Sequence, residues 1–190
     1  MPMVVAEMSG NHNQSLQRAL EIVDNAAESG AHAIKLQTFT ADTLTIDKKD
    51  GDFYLGDKKS LWNGMSMHEL YQQAQTPWDW HEKIFQHCKE LGLLCFSSPF
   101  DDSAVDFLEK LNCPCYKIGS TENTDFELLK KVAATGKPII ISTGMATIEE
   151  LGEMVSVVKN AGCKDLILLK CTATYPASPL DANLTTIQHM

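Results

Sequence analysis

The stretch Ala33-Ile34-Lys35-Leu36-Gln37-Thr38 predicts a β-strand that carries polar groups on one face only. Side chains alternate between the two faces of a strand, so Lys35 and Gln37 point the same way while Ile34 and Leu36 pack behind them. A lysine is costly to bury unless an anion or a partner compensates for its charge. The polar face is therefore expected to meet an anion.

The same arrangement recurs along the chain. Apolar runs predicted as strands end in Glu7, Lys117, Ser142 and Lys170. Polar groups gathered where consecutive strands stop are typical of an α/β enzyme that binds an anionic substrate.

Working outward from this strand, the hydrophobic pattern predicts alternating strands and helices. Strands are predicted over 3–8, 33–38, 93–97, 115–118, 138–142 and 165–170. Helices are predicted over 15–29, 66–75, 77–91, 101–111, 124–135 and 147–161. Capping boxes are expected where Thr124 precedes Glu127 and where Thr147 precedes Glu150.

This order predicts a parallel α/β fold, because the strands are short, continuous apolar runs as expected of strands covered on both faces. A (β/α)8 TIM barrel is favoured over an open doubly wound sheet, since polar residues follow every strand and not one switch point. A closed barrel takes about 250 residues, and about six of its eight βα units are present here. We expect residues 1–190 to form one incomplete barrel domain, as a fragment or completed by partner chains.

Composition excludes several classes of protein. The chain has 190 residues, 44% of them hydrophobic, and a net charge of −9, which argues against nucleic acid or an acidic membrane as partner. No signal-like or membrane-spanning apolar run occurs, so a cytoplasmic location is expected.

The six cysteines could form three disulfides, but four of them lie in or beside predicted strands. Free cysteine is among the most buried residue types, so reduced thiols are expected. Their spacing does not match a zinc site.

A polar excursion, residues 41–64, separates the second predicted strand from the next helix. It is either a lid over the end of the barrel or a disordered surface loop.

Six ordered motifs resemble the sialic acid synthase family over nearly the whole chain. They are AEMSGNHN at 6–13, IKLQT at 34–38, FSSPF at 96–100, YKIGS at 116–120, STGM at 142–145 and CT at 171–172 with YP at 175–176. Further pairs, Leu61-Trp62, Leu70-Tyr71, Thr76-Pro77 and Trp80-His81, resemble the pseudaminic acid synthase branch.

The resemblance implies condensation of phosphoenolpyruvate with an N-acetylated amino sugar to give a nonulosonic acid, with release of phosphate. It also implies a homodimer for the complete protein. The phosphate is expected to be bound by two ammonium groups and three hydroxyls, those of Lys35, Ser98, Lys117, Ser120 and Ser142.

The resemblance further implies two catalytic carboxylates, Glu7 and Glu122, one of which orients or deprotonates water while the other holds sugar hydroxyls. Which of the two carboxylates has which role is left open by the sequence. Gln37 and Tyr175 match positions used around the sugar. We expect Asn11 and His12 to shape the first βα-loop. The alternative is that His12 is a catalytic base. His81 is expected to be a packing or surface histidine.

The resemblance implies a divalent metal, Mn or Mg, held by two histidines beyond Met190, so none of the residues in this chain is expected to ligate it. The family's C-terminal antifreeze-like domain is likewise expected to be absent. Ala173 stands where relatives have Asn or Ser, so one substrate hydrogen bond is expected to be missing or made by water.

Two alternatives stay open. In a Schiff-base aldolase, Lys35 or Lys117 would attack a carbonyl. In the other alternative, the chain is a non-catalytic remnant that binds anions or assembles with other subunits.

Overall fold

The second strand has the bounds and the faces that its sequence predicts. The computed structural model describes residues 2–58, 60–174 and 177–190. In it, strand β2 spans Ala33–Thr38. Ile34 and Leu36 are fully buried, whereas Lys35 and Gln37 on the opposite face are half-buried.

The described residues form six strands and seven α-helices that alternate along most of the chain. The strands are β1 Val5–Glu7, β2, β3 Leu94–Pro99, β4 Tyr116–Ile118, β5 Ile139–Ser142 and β6 Leu166–Leu169. The helices are α1 Leu16–Glu28, α2 Ala41–Leu44, α3 Met67–Ala74, α4 Trp78–Glu90, α5 Asp102–Lys110, α6 Phe126–Ala133 and α7 Ile148–Asn160. Short 3-10 helices span Gly51–Phe53, Pro179–Asp181 and Leu184–His189.

The chain divides into two compact units, Met1–Ala104 and Val105–Met190. In the first unit β2 pairs in parallel with β1 and with β3, and Glu7 is the register partner of Lys35. In the second unit β5 pairs in parallel with β4 and with β6. Parallel strands joined through helices confirm the predicted α/β class.

Each unit has its own hydrophobic core. The core of the first unit packs α1 and α4 against the sheet and includes Met8, Val23, Ile34, Ile84 and Cys88. In the second unit the fully buried side chains come from strands β4 and β5 and from helices α5 to α7, and include Leu108, Tyr116, Leu129, Ile139 and Met154. On the opposite face, β2 carries Lys35 and Gln37, and β4 carries Lys117.

The prediction that the strands are covered on both faces holds for β4 and β5, and for β3 after Leu94, but is wrong for the end strands β1 and β6. In β1, Val5 is 38% exposed. Ile167 is 50% exposed and Leu169 is 38% exposed. The physical reason is position: among the described strands β6 pairs only with β5, so its other edge and part of its surface lack a neighbour.

Helix capping agrees with the sequence in one place and corrects it in another. Thr147 and Glu150 form the predicted capping box of α7. The N-cap of helix α6 is instead Asp125, one residue after the predicted cap, because the Asp125 carboxylate accepts the hydrogen bond from the Leu128 backbone N–H. Thr124 is therefore not the cap, and the predicted box with Glu127 is wrong.

The polar excursion after β2 has defined structure in its described residues. It holds α2, one 3-10 turn and a β-bridge between Tyr54 and Ser66. Lys49 forms an ion pair with Glu69 of α3, which ties the excursion to the next helix. The described residues of the excursion are therefore ordered, and the alternative of a disordered loop is not supported. Its role as a lid stays a prediction.

The six cysteines are free thiols in the structure, as predicted. No helix in the described ranges is long and apolar enough to cross a membrane.

Candidate functional site

Polar groups of the first unit meet on the face of β2 that carries Lys35. The Lys35 ammonium lies 2.7 Å from a carboxylate oxygen of Glu7 and 3.5 Å from the Ser98 hydroxyl. Gln37 accepts a hydrogen bond of 3.3 Å from the Ser9 hydroxyl. We call these five residues the Lys35 cluster.

Strand register builds this cluster. Glu7 and Lys35 are register partners in β1 and β2, and Gln37 and Ser98 are partners in β2 and β3, so their side chains are neighbours on one face. The Lys35 side chain is 16% exposed and that of Glu7 is 42% exposed. A half-exposed ion pair of this kind leaves Lys35 able to bind an incoming anion at the cost of its bond to Glu7.

A second group of polar residues surrounds Lys117 in the other unit. The Lys117 ammonium donates hydrogen bonds of 2.6 Å to the Ile118 carbonyl and 2.6 Å to the Ser142 hydroxyl. The Cys171 thiol also donates to Ser142, over 3.2 Å. Lys117 and Ser142 are both buried, 8% and 7% exposed, so their charges and dipoles act in a low-dielectric setting.

Hydrogen bonds join the loop that follows β4 to the loop that follows β5. The Ser120 hydroxyl accepts a hydrogen bond from the Gly144 backbone N–H. The buried Asn123 amide donates to the carbonyls of Ser142 and Gly144. We call Lys117, Ser120, Asn123, Ser142 and Cys171 the Lys117 cluster.

Glu122 follows the same strand and differs from Glu7 in its partners. One of its carboxylate oxygens, Oε1, accepts from the Thr121 hydroxyl. The other, Oε2, is buried and has no hydrogen-bond partner among the described residues. A buried, unsatisfied carboxylate oxygen is costly in a folded chain and is a ready acceptor for water or a substrate hydroxyl.

Behind the Lys35 cluster a buried hydrogen-bonded chain joins the sheet to α4. The Ser97 and Thr38 hydroxyls are 2.6 Å apart, and the Thr38 hydroxyl is 2.9 Å from His81 Nε2. His81 Nδ1 lies 3.2 Å from the Pro77 carbonyl, an acceptor, so Nδ1 carries the proton. The order of donation is therefore Ser97 to Thr38 to His81.

Burial lowers the pKa of His81 to about 4, so the ring is neutral near pH 7. His81 is fully buried, which confirms the packing role over a surface position.

His12 is also fully buried and both ring nitrogens are engaged. The Gln14 backbone N–H donates to Nδ1, so Nε2 is the donor to the Thr76 hydroxyl. Burial lowers its pKa. These contacts fit the predicted role in shaping the first βα-loop, in which Asn11 donates to the Met8 carbonyl.

Eight of the nine sequence-predicted site residues fall in described parts of the structure; Tyr175 lies outside the described residues. Glu7, Lys35, Gln37 and Ser98 meet in the first unit, and Lys117, Ser120 and Ser142 meet in the second. Lys170, a further strand-end lysine, donates to the Cys171 carbonyl and the Thr172 hydroxyl.

Sequence reasoning missed Asn123, Ser9 and the thiol contact of Cys171. Asn123 is the neighbour of Glu122 in the same loop, and Cys171 is the first residue of the motif at 171–172. Both residues are therefore adjacent to positions that the sequence singled out. Hydrogen bonds between different loops leave no mark in the spacing of residues, however.

A metal site does not emerge from the residues that are described. Among them no group of three or more His, Cys, Asp or Glu side chains is placed to hold an ion. The divalent metal that the resemblance implies therefore does not fit these residues.

Comparison with known proteins places these residues in context. A sequence model of the NeuB family matches residues 22–190. A pseudaminic acid synthase from Helicobacter pylori is 44% identical over 186 residues, which cover 98% of this chain and 54% of that protein. An N,N'-diacetyllegionaminic acid synthase from Campylobacter jejuni is 34% identical over 191 residues, 99% of this chain and 56% of that protein.

Among solved structures, the N-acetylneuraminic acid (sialic acid) synthetase from Leptospira borgpetersenii, in complex with citrate, superimposes with a TM-score of 0.86 at 27% identity. The match covers 98% of this chain and 60% of that one. It confirms the predicted TIM-barrel type of fold. The chain spans about half the length of the curated relatives it matches.

Proposed function

The chain belongs to the NeuB family, and from this premise we propose that it acts in the synthesis of a nonulosonic acid from phosphoenolpyruvate and an N-acetylated amino sugar. Identity is higher to a pseudaminic acid synthase than to a legionaminic acid synthase. This favours the pseudaminic acid synthase branch, whose sugar substrate is a diacetamido-trideoxy hexose.

The Lys117 cluster is the observation that carries this proposal. A buried ammonium and two serine hydroxyls lie together at the ends of neighbouring strands. Such a group of donors matches the oxygens of a phosphate, which only accept hydrogen bonds. The solved relative is described in complex with citrate, a polyanion, and this supports an anion-binding role for the family's fold.

In the first unit we assign Lys35 and Ser98 to an anionic group of the substrate and Gln37 to a sugar hydroxyl. Glu7 forms the ion pair with Lys35 and thereby holds the ammonium on the polar face of β2. Gln37 is oriented by the Ser9 hydroxyl, which leaves its amide N–H groups to donate.

We assign the water-activating role to Glu122 and not to Glu7. Glu122 Oε2 is buried and has no hydrogen-bond partner in the described part of the chain, whereas the Glu7 carboxylate is engaged by Lys35. A base must be able to take a proton from water, and a carboxylate oxygen already bonded to an ammonium is a poorer acceptor.

In the proposed reaction, C3 of phosphoenolpyruvate attacks the sugar aldehyde carbon, the aldehyde oxygen becomes an alkoxide, and positive charge develops at C2. Water adds to C2 and gives one proton to Glu122. Glu122 returns this proton through solvent to the alkoxide, which becomes the new hydroxyl. The resulting hemiketal phosphate breaks its C–O bond, and phosphate leaves with the second proton while the water oxygen stays in the sugar product. Lys117 stabilises the phosphate charge throughout.

The divalent metal stays a prediction that comes from the resemblance, and no step above depends on it. The homodimer of the complete protein likewise stays a prediction. The free state of all six thiols supports our proposal of a reducing, cytoplasmic location.

The geometry also bears on the Schiff-base alternative. Lys117 acts as a donor to Ile118 and Ser142, a role that requires its hydrogens and not a free lone pair. Treatment with borohydride and pyruvate should leave no covalent adduct on the protein. An adduct at Lys35 or Lys117 would favour the aldolase.

Turnover in labelled water tests the proposal directly. With phosphoenolpyruvate and the diacetamido-trideoxy hexose, oxygen from the solvent should appear in the sugar acid and not in phosphate. Lys117→Met should weaken turnover by about 100-fold or more, while the exposed Lys83→Met serves as the matched control. Solvent oxygen in the released phosphate would overturn the scheme, and binding of phosphoenolpyruvate without turnover would favour the non-catalytic alternative.

A further inference from the structure

The hydroxyl of Ser142 accepts two hydrogen bonds from protein donors. One comes from the Lys117 ammonium over 2.6 Å and the other from the Cys171 thiol over 3.2 Å. A serine hydroxyl has two acceptor lone pairs and one hydrogen. Because both lone pairs are engaged, its hydrogen is the only part of the group left to form a bond, and Ser142 can act only as a donor.

Because Ser142 is buried, protein contacts decide whether its hydroxyl donates or accepts a hydrogen bond. Ser142 is 7% exposed, so water competes poorly for the hydroxyl hydrogen and its direction is set by protein contacts. Ser120 shows the same polarity, since it accepts from the Gly144 backbone N–H. Both hydroxyls thus receive protein hydrogen bonds and keep their own hydrogens to donate.

We propose that Cys171 is a positioning residue of the anion site: its S–H···O bond occupies the second lone pair of Ser142 and holds that hydroxyl as a donor to the phosphate of phosphoenolpyruvate. This inference rests on the proposed function of the Lys117 cluster. Cys171 acts through Ser142 and has no chemical step of its own.

The physical cost of losing the thiol follows from the same count of lone pairs. Without Cys171 the second lone pair of Ser142 accepts no hydrogen bond from the protein. The hydroxyl can then rotate about its C–O bond and accept a hydrogen bond from water. Part of the binding free energy is then spent on restoring the donor orientation. A hydroxyl at position 171 can replace the thiol as donor, whereas a methyl group cannot.

A double-mutant cycle on the intact protein tests this proposal. The variants are Cys171→Ala, Cys171→Ser, Ser142→Ala and the Cys171→Ala/Ser142→Ala pair. Cys115→Ala, at a half-buried thiol outside the cluster, is the matched control. The readouts are the Kd of phosphoenolpyruvate and of inorganic phosphate by calorimetry, together with the melting temperature of each variant.

Cys171→Ala should raise the Kd of phosphoenolpyruvate by about three- to tenfold, the range expected for one lost hydrogen bond. Cys171→Ser should restore the Kd to within about twofold of the parent value. In the Ser142→Ala background, Cys171→Ala should have no further effect, because the residue through which it acts is gone. A cysteine with a packing role alone would give additive effects and no rescue by serine.

An unchanged Kd in Cys171→Ala, or the same increase with and without Ser142, would overturn the inference. If Cys171→Ala melts early, Cys171→Val repeats the measurement, since it fills the space without a donor. Failure of the parent protein to bind phosphoenolpyruvate would instead count against the proposed function, so the two failures are distinguishable.

Discussion

The carboxylate of Glu122 occupies the space in which a side chain at position 119 would begin. A Cβ built on Gly119 would collide with Glu122 Oε2, the buried oxygen that no described residue hydrogen-bonds. The backbone of Gly119 does not need a left-handed conformation, so the requirement for glycine at this position is room for the carboxylate. Gly119, which follows β4, thereby leaves room for the Glu122 carboxylate.

Gly119→Ala should therefore act on catalysis more than on stability. The added methyl group displaces the end of a flexible side chain, so the free energy of unfolding should change by less than about 1 kcal/mol. The rate constant kcat should fall by about 100-fold, the contribution typical of a general base, while the Kd of phosphoenolpyruvate changes little.

Gly152→Ala is the control for this substitution. No heavy atom lies within 4 Å of a Cβ at that position in α7, and alanine favours helix more than glycine does. We expect unchanged kcat and equal or higher stability. An active Gly119→Ala enzyme would remove Glu122 from the water-activating role.

Thr38→Val should destabilise the fold by about 1–3 kcal/mol, because it removes the buried hydroxyl that hydrogen-bonds both His81 Nε2 and the Ser97 hydroxyl. The two side chains have similar shape, so packing is nearly kept. Urea unfolding measures the effect, with the exposed Thr185→Val as control. Equal stability of Thr38→Val and the parent would mean that the chain from Ser97 to His81 contributes nothing.

The stability of the fold should fall as the pH is lowered from 6.5 to about 4. Burial lowers the pKa of His81 to about 4 from its ordinary 6.5, so in this window the unfolded chain binds a proton that the folded chain does not. The loss from His81 is at most about 3 kcal/mol, and His12, whose pKa burial also lowers, adds to it.

Urea unfolding at several pH values, with His81→Gln as the comparison, measures this dependence. The variant lacks the titrating ring and should show a shallower decline over the same window. Glu69, whose pKa is lowered to about 2 by Lys49, titrates below its ordinary value of 4.5 and adds a separate loss at lower pH. Parallel curves for parent and variant would contradict the assignment to His81.

Asp125→Ala should destabilise the chain by about 1 kcal/mol, the usual cost of losing an N-cap. The Asp125 carboxylate accepts from the Leu128 backbone N–H at the start of α6. Thr124→Ala, one residue before, should be nearly neutral. The reverse ranking of the two variants in thermal unfolding would restore Thr124 as the cap.

Much of the fold could be predicted from the sequence, because its signals are local. Strand β2 has its predicted bounds, and the alternation of Ile34, Lys35, Leu36 and Gln37 gave the correct buried and polar faces. The cap of α6 was misplaced by one residue, since Thr124 and Asp125 are both good caps and only backbone geometry chooses between them.

The candidate site was predicted in its residue types but not in its contacts. Lys117 and Ser142 were singled out as strand-end polar residues, and the structure joins them by a hydrogen bond. Asn123 and the Cys171 thiol escaped notice because each acts on a loop that is distant in the chain. Spacing along the sequence carries no information about such pairs.

By itself, the sequence determined the alternation of strands and helices and which side chains face away from the core, since both follow from local hydrophobic period and backbone preference. Only the tertiary structure decided that Glu7 is bound by Lys35, while one oxygen of Glu122 has no hydrogen-bond partner among residues 2–58, 60–174 and 177–190. It also decided that Ser142 is held as a donor. The reason is that hydrogen-bond direction depends on which neighbours fill each lone pair, and those neighbours are brought together only by folding.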